Sequence, residues 1–144
     1  MFKKEKLLIA GVTGNGYKTK DIWDEFKDIE EKNPIDSITP GSYYEIRIHK
    51  ENECLCHVGI SVNEKVNNKA YKIMELPASL YKSFDVYVPN GYDSENENMG
   101  KWLSENKEKY MEREINGDKY IIEHYTERFD KENIVEIWIP LIEL

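Results

Sequence analysis

Short apolar runs alternate with polar, turn-forming breaks along the whole chain, and the period of the apolar positions changes from run to run. LLIAGV (Leu7–Val12) is apolar throughout, the pattern of an inner strand covered on both faces, and TGNG (Thr13–Gly16) then breaks it. Ile22, Trp23, Phe26 and Ile29 recur at helical spacing, with Thr19 placed to cap the start and Asn33–Pro34 to end the helix. GSYYEIRIH (Gly41–His49) returns to period two: Tyr44, Ile46 and Ile48 share one side, and Tyr43, Glu45, Arg47 and His49 the other. CLCHVGISV (Cys54–Val62) follows a polar turn at Lys50–Glu53, so these two runs predict a hairpin.

The second half repeats the order. In YKIMELPASLYKSFDVYV (Tyr71–Val88), Pro77 lacks the N–H a ladder needs and should split the run into two short strands. SENE (Ser94–Glu97) has the spacing of a capping box, and Met99, Trp102, Leu103 and Tyr110 fall broadly on one face of the helix that should follow. INGD (Ile115–Asp118) is a turn, KYIIEHYTE (Lys119–Glu127) a strand, and IVEIWIPLI (Ile134–Ile142) the last strand. Strand, helix, strand, strand is therefore given twice, in a module of about residues 1–66 and another of about 67–144 of a single domain. The predicted class is α+β: tandem strand–helix–strand–strand modules related by a pseudo-twofold axis, one antiparallel sheet, both helices on one face and a ligand groove on the other.

Composition narrows the function classes. The net charge is −8, from 28 acidic against 20 basic residues, and no basic block exceeds KKEK (Lys3–Lys6), so direct nucleic-acid binding is not expected. The apolar run Leu7–Val12 is too short for a signal peptide or a membrane span and reads as a strand. Cys54 and Cys56 are two apart on a strand, poorly placed to bridge each other, which fits reduced thiols and a cytoplasmic setting. His49, His57 and His124 are scattered without metal-ligand spacing, no nucleophile elbow is present, and TGNG lacks the spacing of a phosphate loop. No cofactor, metal or catalytic constellation is implied. Tyr is abundant, at ten residues, and suits pockets that want an apolar body with a polar tip.

One residue stands out. YIIEHY (Tyr120–Tyr125) is a strand by composition yet carries Glu123 among apolar and aromatic neighbours. Alternation puts Ile121, Glu123 and Tyr125 on one face and Tyr120, Ile122 and His124 on the other, the second set expected under the helices. From the strand alone, Glu123 reads as a solvated residue on an exposed face.

Larger pieces of the sequence bear a family likeness. In order they are the opening strand ending near Gly11; IWDEF (Ile22–Phe26) in a helix; GSYYEI with a later VGISV; ELPASLYKSF (Glu75–Phe84); a helix bearing Trp102; IEHY (Ile122–Tyr125); and EIWIPL (Glu136–Leu141). Together the chain resembles the GyrI-like small-molecule-binding domains, the effector-binding domains of AraC-type and multidrug-responsive transcription regulators, in a stand-alone form. It departs from them at Ser79, where a Gly is usual, at Lys82, where a small residue is usual, and in a shorter segment before IEHY. The resemblance implies a ligand pocket between two modules with Glu123 in it. A carboxylate walled by aromatics loses hydration, and a lipophilic cation restores charge balance while aromatic faces attract it.

The implied ligand-binding residues are Glu123, Tyr125, Trp138, Tyr43, Tyr44, Tyr81 and Phe84. Only one of Tyr43 and Tyr44 can face inward, and Trp138 faces the groove or a sheet edge. Trp23, Phe26, Trp102 and Leu103 are expected in the core. The expected function is binding of a hydrophobic, cationic small molecule, for effector sensing or sequestration, without catalysis. One alternative is hydrolysis of reactive, cyclopropane-bearing toxins with Glu123 as acid or base and Tyr125 orienting it. A further alternative is inhibition of a DNA-processing enzyme through a protein partner. No membrane partner is expected.

Overall fold

The computed structural model describes residues 1–35, 42–63 and 68–144; Gly41 and the boundary between the two predicted modules lie outside them. In chain order the elements are β1 (Phe2–Lys4), β2 (Leu7–Asn15), α1 (Thr19–Lys32), β3 (Tyr43–His49), β4 (Cys54–Val62), β5 (Lys72–Leu76), β6 (Ser79–Tyr87), α2 (Asp93–Glu105), β7 (Tyr110–Glu112), β8 (Lys119–Tyr125), α3 (Glu127–Glu132) and β9 (Ile134–Glu143). The strands join into one sheet in the order β1-β6-β9-β8-β3-β4-β2-β5, with β7 on β9. All the pairings are antiparallel. From the central β3–β8 pair outward, each side runs to the later strand of its half and then to the earlier one, β4 then β2 and β9 then β6. The α+β class and the antiparallel sheet are those the sequence predicts.

The sheet is curled. Leu7 and Leu76 from one end, Tyr81 and Trp138 from the other, and Ile46 and Ile122 from the centre belong to one buried cluster on one face. Strands so far apart in the order can share a core only if that face closes on itself. The opposite face carries two separate cores: Phe26 and Ile22 of α1 over Val58 and Ile60, and Met99 of α2 over Phe84 and Ile137. Both helices and the outward sides of β3 and β8 therefore look the same way, with space between the helices. This corrects the expected placement of the groove on the face away from the helices: that face is filled by large side chains, and the open space lies on the helical side.

Backbone contact helps set the shape where β2 crosses β4. Gly11 stands opposite Gly59, and a Cβ added at Gly11 would lie 1.7 Å from the Val58 carbonyl oxygen. Only two glycines let the strands approach this closely. Gly11→Ala is expected to cost roughly 1–3 kcal/mol, or more, because backbone rather than a side chain must move. Urea unfolding checks this, and a midpoint equal to the wild type's would show that the strands can part.

Several local expectations shift. TGNG does not break β2 at Thr13: the ladder continues to Asn15 opposite Leu55, because β4 is long enough to pair with it, and Thr13 Oγ1 hydrogen-bonds His57 Nδ1 at 2.8 Å. Thr19 is the first helical residue, not the cap, which is Lys18; its hydroxyl instead donates to the Gly16 carbonyl at 3.1 Å. The SENE capping box does not form, because α2 starts earlier, after Tyr92, and Ser94 falls in its first turn. Tyr110 has left the helix, which ends at Glu105, and opens β7, where its ring stacks on Trp102 at 5.8 Å. Short α3 went unpredicted; Thr126 caps it by accepting from the Arg128 N–H at 3.2 Å, and Asn133 ends it in the left-handed region at φ 56°. The INGD turn holds, with Asn116 at φ 54° and Gly117 at φ 82°, the pair of positive angles a tight hairpin needs. No helix among the described residues is long and apolar enough to cross a membrane.

Candidate functional site

Beside α2, over the outward side of β3 and β8, lies a cavity of about 410 Å³ lined by Glu45, Arg47, Tyr92, Asn96, Glu123 and Tyr125, with His49, Ile121 and Ile137 at its sides. Its floor follows from register. β3 and β8 pair so that Glu45 stands directly opposite Glu123, and directly opposite residues share a face. Both carboxyls are buried, at 4% and 6% exposure.

Buried charges need partners. Arg47 Nε lies 3.2 Å from Glu45 Oε2 and 3.8 Å from Glu123 Oε2. The rest of the guanidinium is anchored elsewhere, donating from Nη1 to the Gly16 carbonyl at 2.9 Å and from Nη2 to Thr19 Oγ1 at 2.7 Å. The indole N–H of Trp23 donates to Glu45 Oε1 at 2.7 Å. Glu123 has the poorer set: the Tyr125 hydroxyl donates to its Oε1 at a long 3.5 Å, and the Tyr92 hydroxyl, just before α2, is within reach.

Two carboxyls thus share one guanidinium, and like charges so close do not both ionise freely. The Glu123 carboxyl is pushed well above the ordinary carboxylate range, to about 9. Burial is the largest cause, followed by the hydrogen bond with Glu45 and the Glu45 charge, against the pull of Arg47. At neutral pH the favoured state is a neutral cluster: one guanidinium, one carboxylate and one carboxylic acid. Burial first, then the Glu123 charge, also raises the Tyr92 and Tyr125 hydroxyls, which stay protonated donors.

A second cavity, of about 490 Å³, adjoins the first between α1 and α3. Trp23, Phe26, Tyr43, Tyr125 and Phe129 line it, with Lys27, Glu30 and Asp130 also in its wall. Tyr125 lines both cavities.

The predicted residues divide accordingly. Glu123, Tyr125 and Tyr43 line cavities, and of the two adjacent tyrosines Tyr43 is the one on the helical side. Tyr44, Tyr81 and Trp138 do not: they belong to the inner core, with Trp138 3% and Tyr81 1% exposed. The reason is again register. Trp138 stands opposite Ile122 and Tyr44 opposite His124, so both take the face turned away from Glu123. There the Trp138 ring packs on Phe2 at 4.9 Å and Tyr44 at 5.7 Å. Phe84 is on the helical side but is covered by α2 and packs edge-on to Trp102 at 6.4 Å. Trp23, expected only in the core, packs on Phe26 yet reaches Glu45. Sequence reasoning did not single out Glu45, Arg47 or Tyr92. Glu45 and Arg47 were already on one strand face with Tyr43, but nothing along the chain says that this face meets Glu123.

Cys54 and Cys56 are free, buried thiols, and burial pushes Cys56 up to about 12, which keeps it unreactive. Among the described residues no three His, Cys, Asp or Glu side chains are grouped to hold a metal ion.

A fold of this kind, with its cavity over the central strand pair, can be compared with known proteins. Residues 3–142 match the sequence profile of the GyrI-like small molecule binding domain. The chain belongs to that family. Among solved structures it is similar to SAV2435 bound to tetraphenylphosphonium, at 13% identity and a TM-score of 0.67, over 98% of this chain and 92% of that one. It is also similar to the C-terminal domain of EcmrR, at 11% identity and a TM-score of 0.69, over 99% of this chain and 96% of that one. At such identities the likeness is one of fold. No curated protein matches the chain. As a GyrI-like domain, the protein is a small-molecule binder, and what remains is the chemistry of its ligand.

Proposed function

We propose that this GyrI-like domain captures a hydrophobic monocation in exchange for the proton that Glu123 shares with Glu45. The carrying observation is the charge count at the cavity floor, two buried carboxyls against one guanidinium. With the proton present the cluster is neutral; without it the cluster carries one uncompensated negative charge in a poorly solvated place. A cation in the cavity neutralises that charge, and the rings of Tyr92 and Tyr125 add cation–π attraction of about 0.5–2 kcal/mol. One charge beside the two tyrosine rings, Ile121 and Ile137 imposes no fixed hydrogen-bond pattern on the cation, so cations of different shape fit. The similarity to SAV2435, whose structure holds the lipophilic cation tetraphenylphosphonium, supports the choice of ligand class. Capture of this kind serves effector sensing or sequestration. Titration calorimetry with tetraphenylphosphonium tests it: binding by the wild type and strong loss in Glu123→Gln are expected, and equal binding by both would refute the reading.

One observation favours a second reading. Glu123 held as an acid beside the charged Glu45 is the arrangement general acid–base chemistry uses, and the Tyr125 hydroxyl orients it. Hydrolysis of a strained, cyclopropane-bearing electrophile would use that pair. Incubation with such a compound separates the readings: a ring-opened product, lost in Glu123→Gln, makes the domain an enzyme, and intact compound leaves it a binder.

A further inference from the structure

We propose that the preferred ligands are elongated dications, with one positive charge over the Glu45–Glu123 pair and the second in the aromatic cavity beside it. The proposal rests on the cation reading of the acid pair and extends it to a second subsite.

Five rings form a continuous edge-to-face series around the second cavity. Tyr43 meets Phe26 at 6.1 Å, Phe26 meets Trp23 at 6.1 Å, Trp23 meets Tyr125 at 5.5 Å and Tyr125 meets Phe129 at 5.1 Å. Each ring is braced by the next, so the cage is preformed. The charged side chains in its wall are Glu30, Asp130 and Lys27, a net charge of −1. Glu30 is held in place by the Tyr43 hydroxyl, which donates to its Oε2 at 3.1 Å. Donors for an anion are few: the Tyr43 hydroxyl and the Trp23 indole N–H are committed to Glu30 and Glu45, which leaves Lys27 and the Thr126 hydroxyl, whose oxygen accepts in capping α3. Aromatic walls, net negative charge and few donors are the features that select a quaternary ammonium or a similar bulky cation.

The two cavities are coupled through shared walls. Tyr125 directs its hydroxyl at Glu123 and sets its ring against Trp23 and Phe129. Trp23 binds Glu45 through its indole N–H while its ring lines the cage. A ligand with two cationic ends on a flexible spacer engages both sites, and the second engagement is intramolecular.

The test compares alkyltrimethylammonium salts with alkane bis(trimethylammonium) salts of the same chain length, across a series of spacer lengths, by titration calorimetry on the intact domain. At the best spacer the bis compound should bind ~10-fold tighter than its single-headed partner. That ratio should fall toward one in both Phe129→Ala and Glu30→Gln. Glu30→Gln keeps every ring and serves if Phe129→Ala folds poorly. A ratio near one at every spacer length, or one that survives both variants, overturns the proposal. If the single-headed compound binds in a Glu123-dependent way without a gain from the second head, only the dication subsite falls. If neither compound binds, the cation reading falls and takes this inference with it.

Discussion

Glu123→Gln is expected to weaken tetraphenylphosphonium binding by roughly 100-fold at about pH 8, and by almost nothing near pH 5. In the proposed exchange the wild type binds the cation with Glu123 ionised, and that state becomes tenfold more accessible for each unit the pH rises toward the raised carboxyl value of about 9. Wild-type affinity therefore climbs with pH between about 5 and 9. The Gln variant has no proton to release and presents the same neutral amide at every pH, so its affinity stays flat. At the acid end the wild-type site is itself neutral, and the two proteins converge. Measuring Kd for both proteins across this range gives two curves that meet at low pH and separate above it. Parallel curves would mean that Glu123 contributes shape and not charge.

The same substitution should stabilise the empty protein at alkaline pH, by roughly 2–4 kcal/mol at about pH 8. Glu123 has a folded value raised above its ordinary 4.5, so between there and about 9 the folded chain holds more protons than the unfolded one. Stability from this group is fully present below the lower value and is lost as pH rises through the window. Gln supplies the hydrogen-bond donor of the protonated acid without the titration, and keeps that stability. A melting temperature higher by roughly 5–10 °C at about pH 8 is expected, with no difference near pH 5. His57 works in the other direction. It is buried between Thr13 and the Ile9 carbonyl, and burial lowers it from 6.5 to about 4, so its contribution falls away as the solution is acidified below its ordinary value. Because His57 is common to both proteins, the comparison at each pH isolates Glu123. A variant that binds worse and melts higher is the signature of a strained site kept for its function.

What the sequence disclosed and what it withheld follow from the range of the interactions involved. Strand β4 was legible to the residue, Cys54–Val62, because an apolar run between polar turns is a local signal. The division of β8 into Ile121, Glu123 and Tyr125 against Tyr120, Ile122 and His124 was likewise local and held. Which set meets the helices was not: both faces of the curled sheet are buried over much of their area, so hydrophobicity does not distinguish inner core from helix-covered core. Trp138 shows the consequence. A large aromatic opposite Ile122 had equal claim to either face until the β8–β9 register was known. Glu45 shows it more sharply, since the acid pair exists only through the pairing of β3 with β8, two strands distant in the chain. Helix α3 was missed for a different reason: six residues are too few to display a helical period, although its Thr126 cap and its Asn133 stop were both present.

The proposed capture exchanges one proton for one cation at the Glu45–Glu123 pair. It is tested most directly by titrating tetraphenylphosphonium into the protein near neutral pH in two buffers of different ionisation enthalpy, which counts the protons released on binding. About one proton released per cation bound is expected for the wild type, and none for Glu123→Gln. Tight binding by the wild type with the same heat in both buffers, and hence no proton released, would contradict it.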